Sequence, residues 1–327
     1  MLGRRAPVRT RDDLGNGSAM IEDVHIRHLK ADDTQAVVSL YAAAATRDPT
    51  IGPITQKQWT SFLERPNTAG GRDFRIALLR DRVAGLAESS LRHQTSRRVR
   101  FFKLIVEPVS RRMGIGTALL RELLTLDETD ASLHFQSLAA ADWSDGIAFL
   151  EKLGFSHIES ELRMRCVSLS AIASLPPARF SIERALKPAA LAHDVTLIHN
   201  SAFEADIAFR RYTVSEMAKI LAEDGQCLWI ARSGSDIVGY CLLEIEPHLV
   251  WVQQLAIRPD AQRQGLGMGL AHQALLAQNV SQSRPAELNA SSVNEGAVEL
   301  YGKLGFAKTR EIRRYGISQK QLEAALR

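Results

Sequence analysis

The sequence predicts an α+β protein made of two tandem copies of one fold, each a central mixed, mainly antiparallel β-sheet flanked by helices. Two repeated motifs support this prediction. A glycine-rich motif, Arg-Arg-Met-Gly-Ile-Gly, occupies residues 111–116 and returns as Gln-Arg-Gln-Gly-Leu-Gly at residues 262–267. A second motif, ending in Leu-Gly-Phe, occupies residues 149–155 and 300–306. Both motifs recur in the same order at an offset of 151 residues, which indicates a duplicated unit.

Length and composition agree with two globular units. The chain has 327 residues, of which 45% are hydrophobic and 24% charged, as in ordinary water-soluble domains. A net charge of +4 fits an ordinary solvated surface or a local basic site for a polyanionic ligand. Cys166, Cys227 and Cys241 have no metal-ligand spacing, so we expect no metal and a reducing, cytoplasmic location. No apolar stretch is long enough to span a membrane.

Composition also suggests the unit boundaries. The first residues are rich in arginine and then in glycine and serine, without the apolar centre of a secretory signal, so we expect a disordered extension, or translation from Met20. Pro176 and Pro177 mark a short linker, across which we expect the units to touch. The predicted segments are an extension at residues 1–20, a first unit at 21–170, a linker at 171–178 and a second unit at 179–327.

Each unit has the predicted order β-α-α-β-β-β-α-β-α-β. Residues 25–29 and 181–185 alternate in polarity, as edge strands do. Two helical regions follow in each unit. Thr213 with Glu216 three residues later has the pattern of a capping box, which predicts the start of a helix.

A strand pair follows the helices. Gly85 and Gly239 match at an offset of 154, whereas the later motifs match at 151. The first unit therefore carries three extra residues, which we place in the hairpin containing Arg97, Arg98 and Arg100. No wider basic face accompanies these arginines, so we do not expect a nucleic-acid partner.

The glycine motif has the features of an anion site. A strand ends at Pro259, and a turn with Gly265 and Gly267 leads into a predicted helix. The first backbone N–H groups of a helix lack intrahelical partners and suit a pyrophosphate, which glycine allows to approach closely. The spacing up to Gly269 misses the dinucleotide fingerprint, and the Lys-Ser/Thr pair of the P-loop is absent.

These motifs resemble those of the GNAT superfamily of acyl-CoA-dependent N-acetyltransferases. The family pattern Gln/Arg-x-x-Gly-x-Gly/Ala matches residues 262–267 and 111–116. The later family pattern, Asn-x-x-Ala-x-x-Leu-Tyr-x-x-x-Gly-Phe, matches residues 294–306. The resemblance extends nearly throughout residues 21–327.

The resemblance implies acetyl-CoA as co-substrate. In the family, the strand before the glycines splays from its neighbour, its backbone binds the pantetheine arm, and one amide stabilises the thioester oxyanion. The residues implied in the second unit are Leu255, Ala256, Ile257, Gln262, Arg263, Gln264, Gly265, Leu266, Gly267, Met268 and Asn294. Those implied in the first unit are Val106, Arg111, Arg112, Met113, Gly114, Ile115, Gly116 and Thr117.

The two units differ in sequence at the catalytic positions. Tyr301 matches the residue that protonates the leaving thiolate in many family members; it could also be a core aromatic. At the 151-residue offset, Leu150 is equivalent to Tyr301, and Trp143 is equivalent to Asn294. We therefore expect the second unit to be catalytic and the first degenerate. The alternative is a first unit that uses water or another side chain as its acid.

The general base is less defined by sequence. Family members use a carboxylate or an ordered water to take the proton of the attacking amine. Glu244 is our candidate, and Glu246 and His248 on the same hairpin are alternatives. All three could equally belong to a solvated hairpin. Glu88, 156 residues before Glu244, is the corresponding candidate in the first unit.

The expected function is transfer of an acetyl group from acetyl-CoA to a primary amine of a small molecule by direct attack, in a monomer or homodimer. Two alternatives stay open. The first is the reaction of mycothiol synthase, a tandem GNAT protein that acetylates a thiol-bearing pseudodisaccharide. The second is a non-enzymatic acyl-CoA sensor or scaffold, which would use the same phosphate site.

Overall fold

The computed structural model of the protein describes residues 24–48, 50–64, 68, 71–93, 97–127, 130, 132–171, 178–204, 209 and 211–327. The predicted N-terminal extension and residues 172–177 of the predicted linker lie outside this part of the chain.

The N-terminal half follows the predicted order of elements. Its strands and helices are β1 (Val24–His28), α1 (Thr34–Ala45), α2 (Gln56–Leu63), β2 (Arg75–Leu79), β3 (Arg82–His93), β4 (Arg98–Val106), α3 (Ile115–Leu124), β5 (Leu133–Ala140), α4 (Ser144–Lys152) and β6 (Ser156–Cys166).

The C-terminal half repeats that order and adds one short helix. Its elements are β7 (Phe180–Arg184), α5 (Ala192–Ala202), α6 (Val214–Leu221), β8 (Gln226–Ser233), β9 (Asp236–Ile245), β10 (Val250–Ile257), α7 (Leu266–Leu276), β11 (Ala286–Ser291), α8 (Glu295–Lys303), β12 (Ala307–Ser318) and α9 (Gln319–Ala325).

Local sequence signals explain several of these boundaries. The predicted capping box starts α6: the Glu216 backbone N–H donates to the Thr213 hydroxyl at 3.2 Å, and the Thr213 N–H donates to the Glu216 carboxylate at 2.8 Å. The three extra residues do lie in the first hairpin, because β3 and β4 together span residues 82–106 whereas β9 and β10 span 236–257.

The arginines of that hairpin are paired with carboxylates. Arg100 is buried, and its Nε lies 2.5 Å from Asp127. Arg98 donates to Asp130 at 3.0 Å. Most of the positive charge in the hairpin is therefore balanced locally.

The two halves exchange their last strands. All twelve strands form one sheet in the order β1-β2-β3-β4-β5-β12-β6-β11-β10-β9-β8-β7. Strand β12 lies between β5 and β6, and β6 lies between β12 and β11. Each half thus completes the sheet of the other. The predicted edge strands β1 and β7 are the two outer strands.

Charged side chains lie at the seam between the exchanged strands. Buried Arg314 on β12 donates from Nε to Glu159 on β6 at 3.0 Å and also contacts Glu161. The second oxygen of Glu159 accepts from Ser291 on β11 at 3.0 Å. These bonds tie three strands from both halves and fix which strands become neighbours, since an unpaired buried charge is costly.

Helices cover both faces of the sheet. Helices α1 and α2 pack with residues such as Ile76, Leu86 and Ile105, and α3 and α4 pack on the opposite face. The C-terminal half repeats this arrangement with α5 and α6 on one face and α7 and α8 on the other. Between the two helix pairs α1/α2 and α5/α6, the middle of the sheet is left for a central cavity.

Candidate functional site

The two glycine turns have almost the same backbone. Arg112 and Gly114 have φ angles of 66° and 82°, and Arg263 and Gly265 have 62° and 75°. Left-handed conformations are uncommon for arginine and cost free energy. Alternating backbone conformations of this kind form concave nests of N–H groups that bind anions. Two equivalent strained positions therefore support an anion site in each half.

The helix that follows leaves its first N–H groups available. The first backbone hydrogen bond of α7 runs from the Gly269 N–H to the Gly265 carbonyl at 3.0 Å, so the preceding N–H groups point towards the turn. A side chain at Gly265 would meet no atom within 4 Å, whereas one at Gly267 would touch Leu300 at 3.4 Å. Gly265 is thus required for its dihedral angle, and the space above it is left for a ligand.

The first side chain of each turn has an intramolecular role. Gln262 donates from Nε2 to the Ile257 carbonyl at 2.9 Å, and Arg111 donates from Nε to the Val106 carbonyl at 3.2 Å. Both bonds fasten the turn to the end of the preceding strand. Sequence comparison with a family pattern could not separate this role from direct ligand binding.

The other predicted residues of the two turns lie around them. Leu266 and Ile115 are buried beneath the turns, and Gln264 contacts Arg179. The remaining positions are exposed or half-buried at the mouth of each turn: Arg112, Met113, Gly116, Thr117, Arg263, Gly267 and Met268.

Each glycine turn follows a strand that separates from its neighbour. Strand β10 pairs with β11 only at Val250 and Trp251, and β4 pairs with β5 only over residues 98–101. Beyond these points the strands diverge while their other edges stay paired with β9 and β3. Of the backbone groups of residues 255–257 that face away from β9, the Ile257 carbonyl accepts from Gln262, and the others line the gap between β10 and β11.

Tyr301 lies on α8 beside this divergence. Its ring is 7% exposed and packs edge-on against Phe306 with a centroid separation of 5.7 Å. Burial, with a smaller contribution from Cys241, raises the pKa of the phenol well above its ordinary value. Among the described residues, the hydroxyl has no hydrogen-bond partner. The phenol is protonated at neutral pH, as a general acid must be before it acts.

The same position is chemically inert in the N-terminal half. Leu150 occupies the seventh position of α4, as Tyr301 does in α8, and is buried in the core. Trp143 precedes α4, and the Arg111 guanidinium lies 5.8 Å above its ring. Asn294, its counterpart, caps α8 by accepting a 3.0 Å hydrogen bond from the Ala297 N–H.

Glu244 faces the central cavity. This cavity has a volume of about 950 Å³, and α2, α6 and the strands β3, β4 and β9 contribute to its wall. Glu244 is half-buried and accepts a 2.6 Å hydrogen bond from Gln253. The alternatives Glu246 and His248 are exposed and do not line the cavity. The cavity is acidic, with five carboxylates and three lysines: Glu64, Glu88, Glu223, Asp224, Glu244, Lys57, Lys103 and Lys219.

Glu88 lines the same cavity from the other half, but its counterpart is not Glu244. Gly85 pairs with Val106 as Gly239 pairs with Ile257. Counting from these glycines places Glu88 at the position of Leu242, two residues before Glu244. The two glutamates are therefore near-equivalent rather than equivalent, two positions apart on strands of the same offset, and both line the cavity.

Sequence reasoning missed a buried hydrogen-bonded chain beside the divergence. Nδ1 of buried His199 on α5 lies 3.0 Å from the Tyr240 hydroxyl, which donates to Gln254 at 2.6 Å. Gln254 lies on β10, next to the predicted pantetheine-binding backbone. Three polar residues on three separate elements leave no pattern in the sequence, so only the fold reveals this contact.

Among the described residues, no three His, Cys, Asp or Glu side chains form a group that could hold a metal ion. Within the same part of the chain, every helix is too short or too polar to cross a bilayer.

Among solved structures, the chain is similar to a tandem GNAT protein from the clavulanic acid biosynthesis pathway, with a TM-score of 0.70, 16% identity and coverage of 90% of this chain and 98% of the other. It is also similar to a GCN5-related N-acetyltransferase from Sphaerobacter thermophilus, with a TM-score of 0.67, 16% identity and coverage of 91% and 96%. At this identity the likeness concerns the fold.

Among curated proteins, the chain is 25% identical over 306 residues to a mycothiol acetyltransferase of Sanguibacter keddieii, covering 88% of this chain and 93% of the relative. A mycothiol acetyltransferase of Kytococcus sedentarius is 26% identical, with coverage of 88% and 95%.

Family models match both halves. A model of the acetyltransferase (GNAT) family matches residues 35–155, and a model of the acetyltransferase (GNAT) domain matches residues 199–321. The two matches together cover most of the chain and contain both glycine turns. The protein therefore belongs to the GNAT acetyltransferases, as a tandem member and an acyltransferase.

Proposed function

We propose that the protein transfers an acetyl group from acetyl-CoA to a primary amine of a small molecule, and that the C-terminal half performs the transfer. The observation that carries the proposal is the juxtaposition in that half of an anion-binding turn, a diverging strand and Tyr301. The predicted cytoplasmic location and a monomeric or homodimeric state belong to the same proposal.

The co-substrate fits the turn of the C-terminal half. The pyrophosphate would lie on the N–H groups preceding Gly269, and the pantetheine arm along the edge of residues 255–257 that faces away from β9. This arrangement places the thioester near Gln254, with one backbone N–H available to the oxyanion.

The reaction would be a direct displacement at the thioester. Glu244, directly or through water, takes the proton of the acceptor ammonium, and the neutral amine attacks the carbonyl carbon. Tyr301 protonates the departing thiolate, and the second proton lost by the nitrogen restores the phenol, directly or through water, while Glu244 returns its proton to solvent. The buried phenol is protonated at neutral pH, which is the state from which a general acid acts.

The acceptor would bind in the central cavity. A volume of about 950 Å³ lies at the upper end of the range for sites that enclose drug-sized molecules. The excess of carboxylates over lysines favours a cationic acceptor. Glu88 and Glu244 approach this cavity from different halves, so the N-terminal half would help to select the acceptor even without transferring an acyl group.

A screen of amines with acetyl-CoA, read by mass spectrometry of the products, tests this proposal. We expect acetylation of cationic amines of intermediate size and loss of that activity in Tyr301→Phe. Release of CoA without any acetylated amine across a broad panel would contradict the proposal.

A second candidate acceptor is the unacetylated form of mycothiol. The two named relatives at 25% and 26% identity favour it. Including this compound in the screen separates the candidates by kcat/KM. The sensor alternative has no comparable support, because the family comparisons assign an acyltransferase.

A further inference from the structure

Lys103 lies where the central cavity meets a second, smaller cavity of the N-terminal half. It lines the central cavity and also a narrow slot of about 50 Å³ between β4 and β5, here called the N-terminal slot, whose wall includes Leu104, Trp143 and Leu150. Lys103 is two residues beyond Phe101, the last residue of β4 that pairs with β5. It therefore lies at the start of the strand divergence.

The side chain of Lys103 is held beside a proton acceptor. Its Nζ lies 4.0 Å from the Glu88 carboxylate, donates to the Tyr41 hydroxyl at 3.3 Å and lies 4.7 Å from the centre of the Tyr41 ring. Glu88 and Tyr41 are both buried, and Lys103 is 35% exposed. A primary amine next to a carboxylate is the arrangement that acyl transfer to an amine requires.

The equivalent position in the C-terminal half has no nucleophile. Counting from the glycine turns, Lys103 corresponds to Gln254, and both residues contact a tyrosine hydroxyl. An amide does not attack thioesters. The half proposed to turn over thus has an unreactive side chain where the acyl group would arrive, whereas the other half has an amine there.

We propose that Lys103 is a self-acetylation site, modified by acetyl-CoA bound at the glycine turn of the N-terminal half. The inference rests on the proposed function for the identity of the acyl donor. A pyrophosphate on the turn at Gly114 and an arm along the diverging part of β4 bring the acyl group into the N-terminal slot. The slot has room for a few water-sized groups, which matches the three heavy atoms of an acetyl group.

The Lys103 ammonium gives one proton to Glu88, and the neutral Nζ attacks the thioester carbonyl carbon. A C–N bond forms and the C–S bond breaks, so the thiolate of CoA leaves with its electron pair. The thiolate takes the second proton lost by the nitrogen, and Glu88 returns the first to solvent. The products are Nζ-acetyl-Lys103, free CoA and one proton.

Acetylation would change the central cavity. It removes one of the three ammonium groups and leaves all five carboxylates, which increases the negative charge facing the acceptor. It also frees the Glu88 carboxylate from its cation. The modified protein should therefore bind cationic acceptors more tightly than the unmodified protein.

The test is incubation of the full chain with isotopically labelled acetyl-CoA and no acceptor, followed by proteolysis and mass spectrometry over time. We expect Lys103 to be labelled roughly tenfold or more faster than the exposed Lys152 and Lys320, because the donor is held beside it. Glu88→Gln should slow labelling of Lys103 alone. Gly114→Val should abolish it, whereas Gly265→Val should leave it intact. Circular dichroism identifies variants that fail to fold.

Labelling of Lys103 no faster than that of Lys152 would overturn the inference. So would labelling that persists in Gly114→Val and disappears in Gly265→Val, since the donor would then lie in the other half. The amine screen is also repeated with Lys103→Arg, so that acetylation of an added amine is measured in a protein that cannot acetylate Lys103. Rapid labelling of Lys103 in a protein that acetylates none of the amines would support self-acetylation and contradict the proposed acceptor reaction.

Discussion

The glycine turns of the two halves agree closely, whereas the helices that follow the next strand differ in chemistry. Equivalent φ angles at Arg112 and Arg263, and at Gly114 and Gly265, differ by less than about ten degrees. Yet α4 presents Leu150 where α8 presents Tyr301. Anion binding at the turn depends on backbone geometry, whereas proton donation from the helix depends on a single side chain. A duplicated enzyme can therefore lose catalysis in one copy and keep the anion site of that copy.

The largest expected effect concerns the chemical difference itself. Tyr301→Phe removes one oxygen and keeps the packing against Phe306, so kcat should fall about 10²–10⁴-fold with little change in KM. Steady-state kinetics under conditions where chemistry limits the rate measures this. An unchanged kcat would return Tyr301 to a purely structural role and remove the main distinction between the halves.

The next effect tests whether the halves are independent. Arg314→Leu removes the cation that pairs with buried Glu159 at the seam and should cost about 3–5 kcal/mol of unfolding free energy. Urea unfolding followed by circular dichroism and tryptophan fluorescence should show one shared transition. The control is Arg313→Leu at a more exposed position of β12, where loss of a surface ion pair should change the unfolding free energy far less. Two separate transitions would contradict the shared sheet.

A matched pair of variants compares the two turns directly. Valine at Gly265 or Gly114 cannot easily adopt the positive φ of either site. Calorimetry should show two CoA equivalents in the wild type and one in each variant. Turnover should fall roughly 10²-fold in Gly265→Val and far less in Gly114→Val. The reverse order of turnover would move the active site to the N-terminal half.

A smaller effect is expected for the base. Glu244→Gln should lower kcat roughly tenfold near neutral pH, and the deficit should shrink at higher pH, where the amine loses its proton unaided. The exposed Glu246→Gln on the same hairpin should not change the pH–rate profile. Equal profiles for wild type and Glu244→Gln would assign proton removal to water or another group.

The smallest effect concerns acid stability at the seam. Hydrogen bonds from Lys308 and then Ser160 lower the pKa of Glu311 to about 2 from its ordinary 4.5. Its contribution is therefore present above pH 4.5 and is lost as pH falls towards 2. Glu311→Gln should be slightly less stable at neutral pH and lose less stability over that interval, as measured by thermal unfolding. A parallel pH dependence in both proteins would contradict this.

The sequence predicted the element order, the longer first hairpin and the capping box at Thr213 because each depends on local patterns. It could not predict the exchange of β6 and β12, since the pattern of residues along a strand does not specify which strand becomes its neighbour. The features of the site likewise fall into those that local sequence predicts and those that it does not. The turns at Gly114 and Gly265 follow from local motifs, whereas the contacts of Lys103 with Tyr41 and of Gln254 with Tyr240 join residues far apart in sequence.

The strand exchange also sets when each half can finish folding during synthesis. The sheet of the N-terminal half lacks its sixth strand until residues 307–318 leave the ribosome. Until then β5 presents an open edge that invites pairing with other nascent chains. Folding one domain at a time is therefore not available to this protein, and its first half must wait for the last strand of the second.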